Sequence, residues 1–148
     1  MIEGFAAQLA MSHITPKDLS RLESILDLME KSMRENNFKK VIKYNLYFHQ
    51  KMVSLSKNGH LVKVYDSMLL PVRRYQKMGL SLQSSWEVSL EEHRKILEAL
   101  NSRDIKRAEE MCRHHVLKAE KRLIDCLVSS RKGDDKNEYE IYGDVKGS

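Results

Sequence analysis

Val41-Ile42-Lys43-Tyr44-Asn45-Leu46-Tyr47-Phe48-His49-Gln50-Lys51-Met52-Val53-Ser54-Leu55 is the stretch whose periodicity decides the fold. Val41, Asn45, Phe48, Met52 and Leu55 recur at steps of 4, 3, 4 and 3 residues. That is the 3.6-residue period of an amphipathic helix and not the alternation of a strand. The seam predicts a helix from about Phe38 to Ser56 with one face in a core. It also puts a carboxamide, Asn45, on the apolar face and an imidazole, His49, one turn later beside it.

The same period runs outward in both directions. A first helix is predicted from about Ile2 to Ser12. Thr15-Pro16-Lys17-Asp18 then supplies a capping threonine, a proline at the first helical position and an acid three residues after the cap. The second helix follows, with Leu19, Leu22, Ile25 or Leu26, Met29 and Met33 on one face, until Asn36-Asn37 interrupts it. Lys57-Asn58-Gly59 ends the third helix with a left-handed turn signal. A fourth is predicted from about His60 to Met78, kinked at Pro71. After a loop at Gly79 to Ser85, a fifth spans about Trp86 to Asn101. A sixth is capped by Asp104 and runs to about Ser130. No segment combines strand length with strand alternation.

The 148 residues are enough for one domain and too few for two ordinary ones. Only 6 glycines and 2 prolines accompany a chain rich in Leu, Glu, Lys and Met, which fits a mostly helical protein. The expected division is a helical bundle over 1–131 and a charged, core-free tail over 132–148, expected to be mobile. The net charge of +5 arises from basic residues spread along every segment, not gathered in one stripe, and aromatic residues are few. Such a distribution does not mark a nucleic-acid surface. No apolar run reaches the roughly 18 residues of a membrane span, and no signal-peptide pattern opens the chain. Cys112 and Cys126 fall in one predicted helix, about 21 Å apart, too far to bridge each other. A reducing, cytoplasmic location is the expected one.

The informative residues are polar ones on apolar seams. The fifth helix presents Leu90, His93, Leu97 and Leu100, with Ile96 beside them. The sixth presents Ala108, Cys112, His115, Ala119 and Leu123, flanked by Met111 and Val116. Three helices thus each aim one imidazole inward. His114 serves as a control, because it shares a face with Arg107, Glu110, Lys118 and Lys121 and is expected in water. His13 and His60 lie at helix boundaries, as caps or surface residues. A lone histidine on an apolar face is ordinarily a core residue with a hydrogen-bond partner. Three in one small bundle would need three sets of partners, each unmet group costing about 1–3 kcal/mol, whereas a shared cation satisfies all three. The residues leave both readings open. Neutral imidazoles suit zinc, nickel, copper or ferrous iron, with the Asn45 amide oxygen as a weaker fourth ligand. With no carboxylate in the set, a divalent ion would keep its charge and call for an anionic ligand.

Signals for catalysis are absent from the sequence. There is no His-Glu-x-x-His or Glu-x-x-His, no nucleophile triad spacing and no glycine-rich phosphate loop. The chain is expected not to be an enzyme.

Asn45-Leu46-Tyr47-Phe48-His49 resembles the Asp/Asn-x-x-Phe-His signature of the FCD domain, the effector-binding domain of GntR-type bacterial transcription regulators of the FadR subfamily. Glu92-His93-Arg94-Lys95-Ile96-Leu97-Glu98-Ala99-Leu100 is similar to that family's Glu-His-x-x-Ile-x-x-Ala-Ile segment. Asp104, Ala108 and His115 match its Asp-x-x-x-Ala…His stretch, and the 22-residue step from His93 to His115 is the family spacing. Ile2 to Ala10 is similar to the domain's first helix, and the likeness extends to about Ser130. Two positions depart: Asn45 stands where Asp is commoner, implying a weaker hold on metal, and His60 stands where Asn is usual.

The resemblance implies an all-α fold, an antiparallel bundle of about six helices around a central metal and ligand cavity. Carried over by motif, the metal ligands are Asn45, His49, His93 and His115, holding a divalent transition metal such as zinc or nickel. A small organic carboxylate is the implied effector, with Arg73 or Arg74 beside Pro71 as the expected basic contact. A homodimer is implied, as is DNA contact only through a separate winged helix-turn-helix domain, which in the family precedes this one and is expected to be missing from a chain that begins with the first helix of the bundle. The alternative is a metal-free helical module for dimerisation or partner docking, in which the histidines only pack.

Overall fold

A short hydrogen-bond motif starts the second helix. Thr15 Oγ1 accepts from the Asp18 backbone N–H at 3.2 Å and donates to the Asp18 carboxylate at 2.7 Å, while Asp18 also receives the Thr15 backbone N–H at 3.3 Å. This capping box satisfies donors that the first turn would otherwise leave open. The computed structural model describes the backbone of residues 2–68 and 84–141, and side chains in 2–68 and 85–129. The helices are α1 (Ile2–Ala10), α2 (Pro16–Arg34), α3 (Phe38–Ser54), α4 (described over 59–68), α5 (Ser84–Asn101) and α6 (Ile105–Ile141). No strand occurs among the described residues. The expected Pro71 kink and the Arg73 and Arg74 side chains lie outside them.

The helices pack as an antiparallel bundle. Asp18 meets Lys51, and Glu30 meets Arg94, so α2 runs opposite to α3 and to α5 in the regions those pairs and the neighbouring contacts define. Glu98 meets Arg107 and Glu92 meets Arg122, which makes α5 and α6 antiparallel as well. α3 and α5, with α4 between them in the chain, run in the same direction: Phe38 stacks on Trp86, Asn45 faces Ser89 and His49 faces His93. α1 packs on α6 and α3.

The predicted seams are the core. Val41, Phe48, Met52, Leu22, Leu26, Met29, Ile96, Leu100, Ala108 and Cys112 are buried in one cluster. α1 lies close because it is built of small residues: a Cβ placed on Gly4 would sit 3.2 Å from Glu109 Cγ on α6. Boundary residues then tie ends of helices together. His13 donates from Nε2 to the Leu55 carbonyl at 2.6 Å, closing the end of α3. Arg103, itself left-handed at φ 55°, donates to the Met11 and Ile14 carbonyls beyond α1.

The left-handed signal in Lys57-Asn58-Gly59 is carried by Lys57, at φ 52°, and Gly59 opens α4. Asn58 Oδ1 accepts from the backbone of His60 and Leu61 and caps α4, so the turn is complete before Gly59. One local expectation is corrected: α6 continues to Ile141 instead of ending near Ser130. The added stretch has no proline, and its weak formers Gly133, Asp134, Asp135 and Asn137 are interspersed with Lys and Glu, so it contains no outright helix stop.

The capping box makes a measurable prediction. The Thr15 hydroxyl, opposed in part by desolvation and helped by Lys51, holds the Asp18 carboxyl down at about 2. Its contribution is therefore present above the unfolded value of about 3.9 and is lost as pH falls toward 2. Thr15→Ala should cost about 1 kcal/mol in urea unfolding near neutrality. The gap between wild type and Asp18→Asn should narrow steadily as the pH is lowered below about 4. An unchanged gap there would show that Asp18 is not held as an anion by this cap.

Candidate metal centre

α3, α5 and α6 each deliver one imidazole to a common point. His49, His93 and His115 are 2%, 0% and 4% exposed, and their Nε2 atoms lie 3.1, 3.2 and 3.3 Å from one another. His114 is exposed on α6, as its charged register predicted, while His115 is buried. Phe48 forms one wall, its ring centroid 4.5 Å from that of His93.

The donor set fits a divalent transition metal on geometry and on proton count. Metal–nitrogen bonds of about 2.1 Å place neighbouring ligand nitrogens about 3.0 Å apart on an octahedral face and about 3.4 Å apart on a tetrahedral edge. The three observed separations fall inside that interval. The His115 Nδ1 donates to Glu92 Oε2 at 2.8 Å, so its Nε2 carries the lone pair. The His49 Nδ1 lies 3.1 Å from Glu3 Oε1, a contact off the line of a good hydrogen bond, and the carboxylate there favours the same tautomer. His93 Nδ1 is buried with no partner among the described residues. Without a cation, His93 can donate to only one of two neighbouring lone pairs, and a buried ring nitrogen stays unmatched.

Two carboxylates stand behind the imidazoles, on their outer nitrogens. Glu92, the residue before His93, is buried and receives His115 Nδ1 and both terminal nitrogens of Arg122, at 3.1 and 3.0 Å, with Lys118 Nζ at 3.7 Å. Burial would raise its carboxyl, but the His115 and Arg122 hydrogen bonds outweigh that and hold it at about 2. Glu3, in the first turn of α1, is buried too and receives the Tyr65 hydroxyl at 3.3 Å. Burial raises that carboxyl as well, and His49, His115 and Tyr65 together bring it below its ordinary value. Carboxylates placed on the far nitrogen of ligand imidazoles fix the tautomer and raise ligand basicity. A signal for Glu92 and Arg122 was present, since Arg122 lies two turns beyond His115 on the same stripe. Glu3 had none, because a first-turn acid ordinarily serves the helix dipole in water.

Asn45 is buried one turn before His49, and its Oδ1 accepts from Ser89 Oγ at 3.4 Å. Cys112 is buried with its Sγ 3.8 Å from Met52 Sδ, and burial pushes its thiol far above the ordinary range, so it is a packing residue. Two clefts of about 400 Å³ open between α2 and α5, and no histidine of the cluster lines either of them.

Burial of the imidazoles sets a pH dependence. Burial first, then the neighbouring His115 and His49, pushes His93 well below the ordinary imidazole value, and burial likewise lowers His115. Their folded values lie below the unfolded one, so the folded state binds fewer protons as pH drops below about 6.5 and stability falls with it. For metal-free protein, urea unfolding between pH 7 and 5 should lose up to about 1.4 kcal/mol per pH unit for each such group. His93→Leu should flatten that slope. A flat profile in the wild type would mean that these rings enter the folded state charged.

No curated protein sequence matches the chain significantly. Among solved structures, E. coli McbR/YncC is similar in fold, with a TM-score of 0.76 at 17% identity, over 84% of this chain and 59% of that one. The chain thus spans little more than half of that protein's length. The family model of the FCD domain matches residues 1–118. These 148 residues therefore belong to the FCD family, the effector-sensing domains of GntR-type transcription regulators, which is not a family of enzymes.

Proposed function

We propose that this domain senses a small organic carboxylate through a divalent transition metal, zinc or nickel, held by His49, His93 and His115 with Asn45 as the fourth protein ligand. The observation that carries this reading is the meeting of three buried Nε2 atoms whose rings are backed by Glu3 and Glu92. A bound metal supplies a positive charge on which a carboxylate can be held. His115 and His49 keep their lone pairs turned inward because Glu92 and Glu3 hold their outer nitrogens. Phe48 and the surrounding apolar core keep water from the imidazoles.

Charge sets the class of effector. The Glu92 charge is already shared with Arg122 and Lys118, whereas Glu3 has no Lys or Arg within ion-pair distance among the described residues. Three neutral rings and a neutral Asn45 leave a divalent ion one charge short of balance after Glu3, which one monocarboxylate would provide. Arg73 or Arg74 gives the carboxylate its second contact. Effector binding biases the placement of the helices and, in a homodimer, of DNA-reading heads carried by a separate domain. A cytoplasmic location goes with this role, and no described helix is long and apolar enough to cross a membrane.

Elemental analysis of purified protein should find close to one transition metal per chain, and His93→Ala should abolish it. Asn45→Asp should slow the loss of metal to a chelator. On metal-loaded protein, a monocarboxylate at about a hundred times its Kd should add about 2.7 kcal/mol of stability, several degrees in thermal midpoint. Arg73→Ala with Arg74→Ala should weaken that shift. Wild type that takes up neither zinc nor nickel would sink the metal reading and leave the metal-free docking module. Metal without any carboxylate response would sink effector capture at this centre.

A further inference from the structure

Glu3 is in an unusual place for a charged side chain. It opens α1, yet it is only 8% exposed, and it joins three helices: its own, α3 through His49, and α4 through Tyr65. The rest of the buried face of α1 is Gly4, Ala6, Ala7 and Ala10, residues that pack closely but supply little specific grip. Burying a carboxylate costs several kcal/mol unless its oxygens are matched. Here the match is incomplete: Oε2 has no partner among the described residues, and the contact from Oε1 to His49 Nδ1 is off-line.

Resting on the metal reading above, we propose that Glu3 is a positioning residue that makes the seating of α1 depend on loading of the histidine cluster. The reason is chemical. Once the His49 Nε2 serves as a ligand, its ring carries more positive charge and its Nδ1 proton becomes a stronger donor. Glu3 is the acceptor within reach of that proton, 3.1 Å away. A tighter Glu3–His49 bond draws the first turn of α1 toward α3, and Tyr65 fixes the carboxylate from the α4 side. Glu92 does the corresponding work for His115, but within α5 and α6, where Arg122 already completes it. Glu3 is thus the contact through which α1 registers the state of the centre. A domain joined on the N-terminal side would be attached to that helix.

The test is hydrogen–deuterium exchange of the whole chain with and without zinc, beside zinc affinity by competition with a chelator. In wild type, zinc should slow exchange of the α1 amides. Glu3→Gln should lower zinc affinity about 10- to 100-fold and, when zinc-saturated, should lose the protection of α1. Glu92→Gln should lose affinity in the same range while keeping that protection, and Tyr65→Phe should weaken the protection with a smaller loss of affinity. Wild type that binds zinc with α1 exchange unchanged overturns the inference and leaves the metal centre standing. So does Glu3→Gln that retains the protection. Wild type that fails to bind zinc or nickel overturns both. Should Glu3→Gln not fold, the wild-type comparison with and without zinc decides the matter alone.

Discussion

Three imidazole nitrogens within 3.3 Å of each other, sealed from water, are a constraint the rest of the bundle has to answer. Two neutral rings facing each other can share one proton in one hydrogen bond, but three in a triangle cannot all be matched. The outer nitrogens inherit the problem. Glu92 solves it for His115, Glu3 solves it in part for His49, and none of the described residues solves it for His93. A cluster built only for packing would cost stability at each unmatched nitrogen, and apolar side chains of the same size would pack better. The arrangement makes physical sense when the inward lone pairs have a common partner.

The fold delivers this cluster through register more than through shape. Because α3 and α5 run in the same direction, equal steps along both helices keep residues paired, and Asn45 opposite Ser89 is followed one turn later by His49 opposite His93. α6 returns antiparallel and inserts His115 from the third side, while Arg122 two turns on reaches back to Glu92. A slip of one residue in α3 would carry Asn45 and His49 off the face that Val41, Phe48 and Met52 bury. Core packing and site geometry are thus set by the same periodicity.

Much of this was readable from the sequence, for a physical reason. Helical period, capping chemistry and the conflict between a polar residue and an apolar seam are all local in the chain. They located α2 through Thr15 and Asp18, set His49, His93 and His115 on inward faces, and turned His114 outward. What escaped depends on contacts distant in sequence. Glu3 reaches His49 across 46 positions of chain and Tyr65 across 62, and no pattern in Ile2 to Ala10 distinguishes it from a solvated acid. Glu92 lies at the edge of the His93 seam, and only the approach of Arg122 makes its burial tolerable. The turn after α3 was legible as Lys57-Asn58-Gly59, but that Lys57 and not the glycine is left-handed follows from the Asn58 cap on α4.

The two carboxylates also divide the bundle. Glu92 binds α5 to α6 with a complete set of charged partners, so that half is held whether or not anything fills the cluster. Glu3 gathers α1, α3 and α4 around an incomplete set. The histidines are where the halves meet, two of them on the α5–α6 side and one on the α3 side. A structure with equal satisfaction on both sides would have no reason to respond to what occupies the centre. Unequal satisfaction gives it one: the side left short of partners is the side whose free energy changes when the centre is filled.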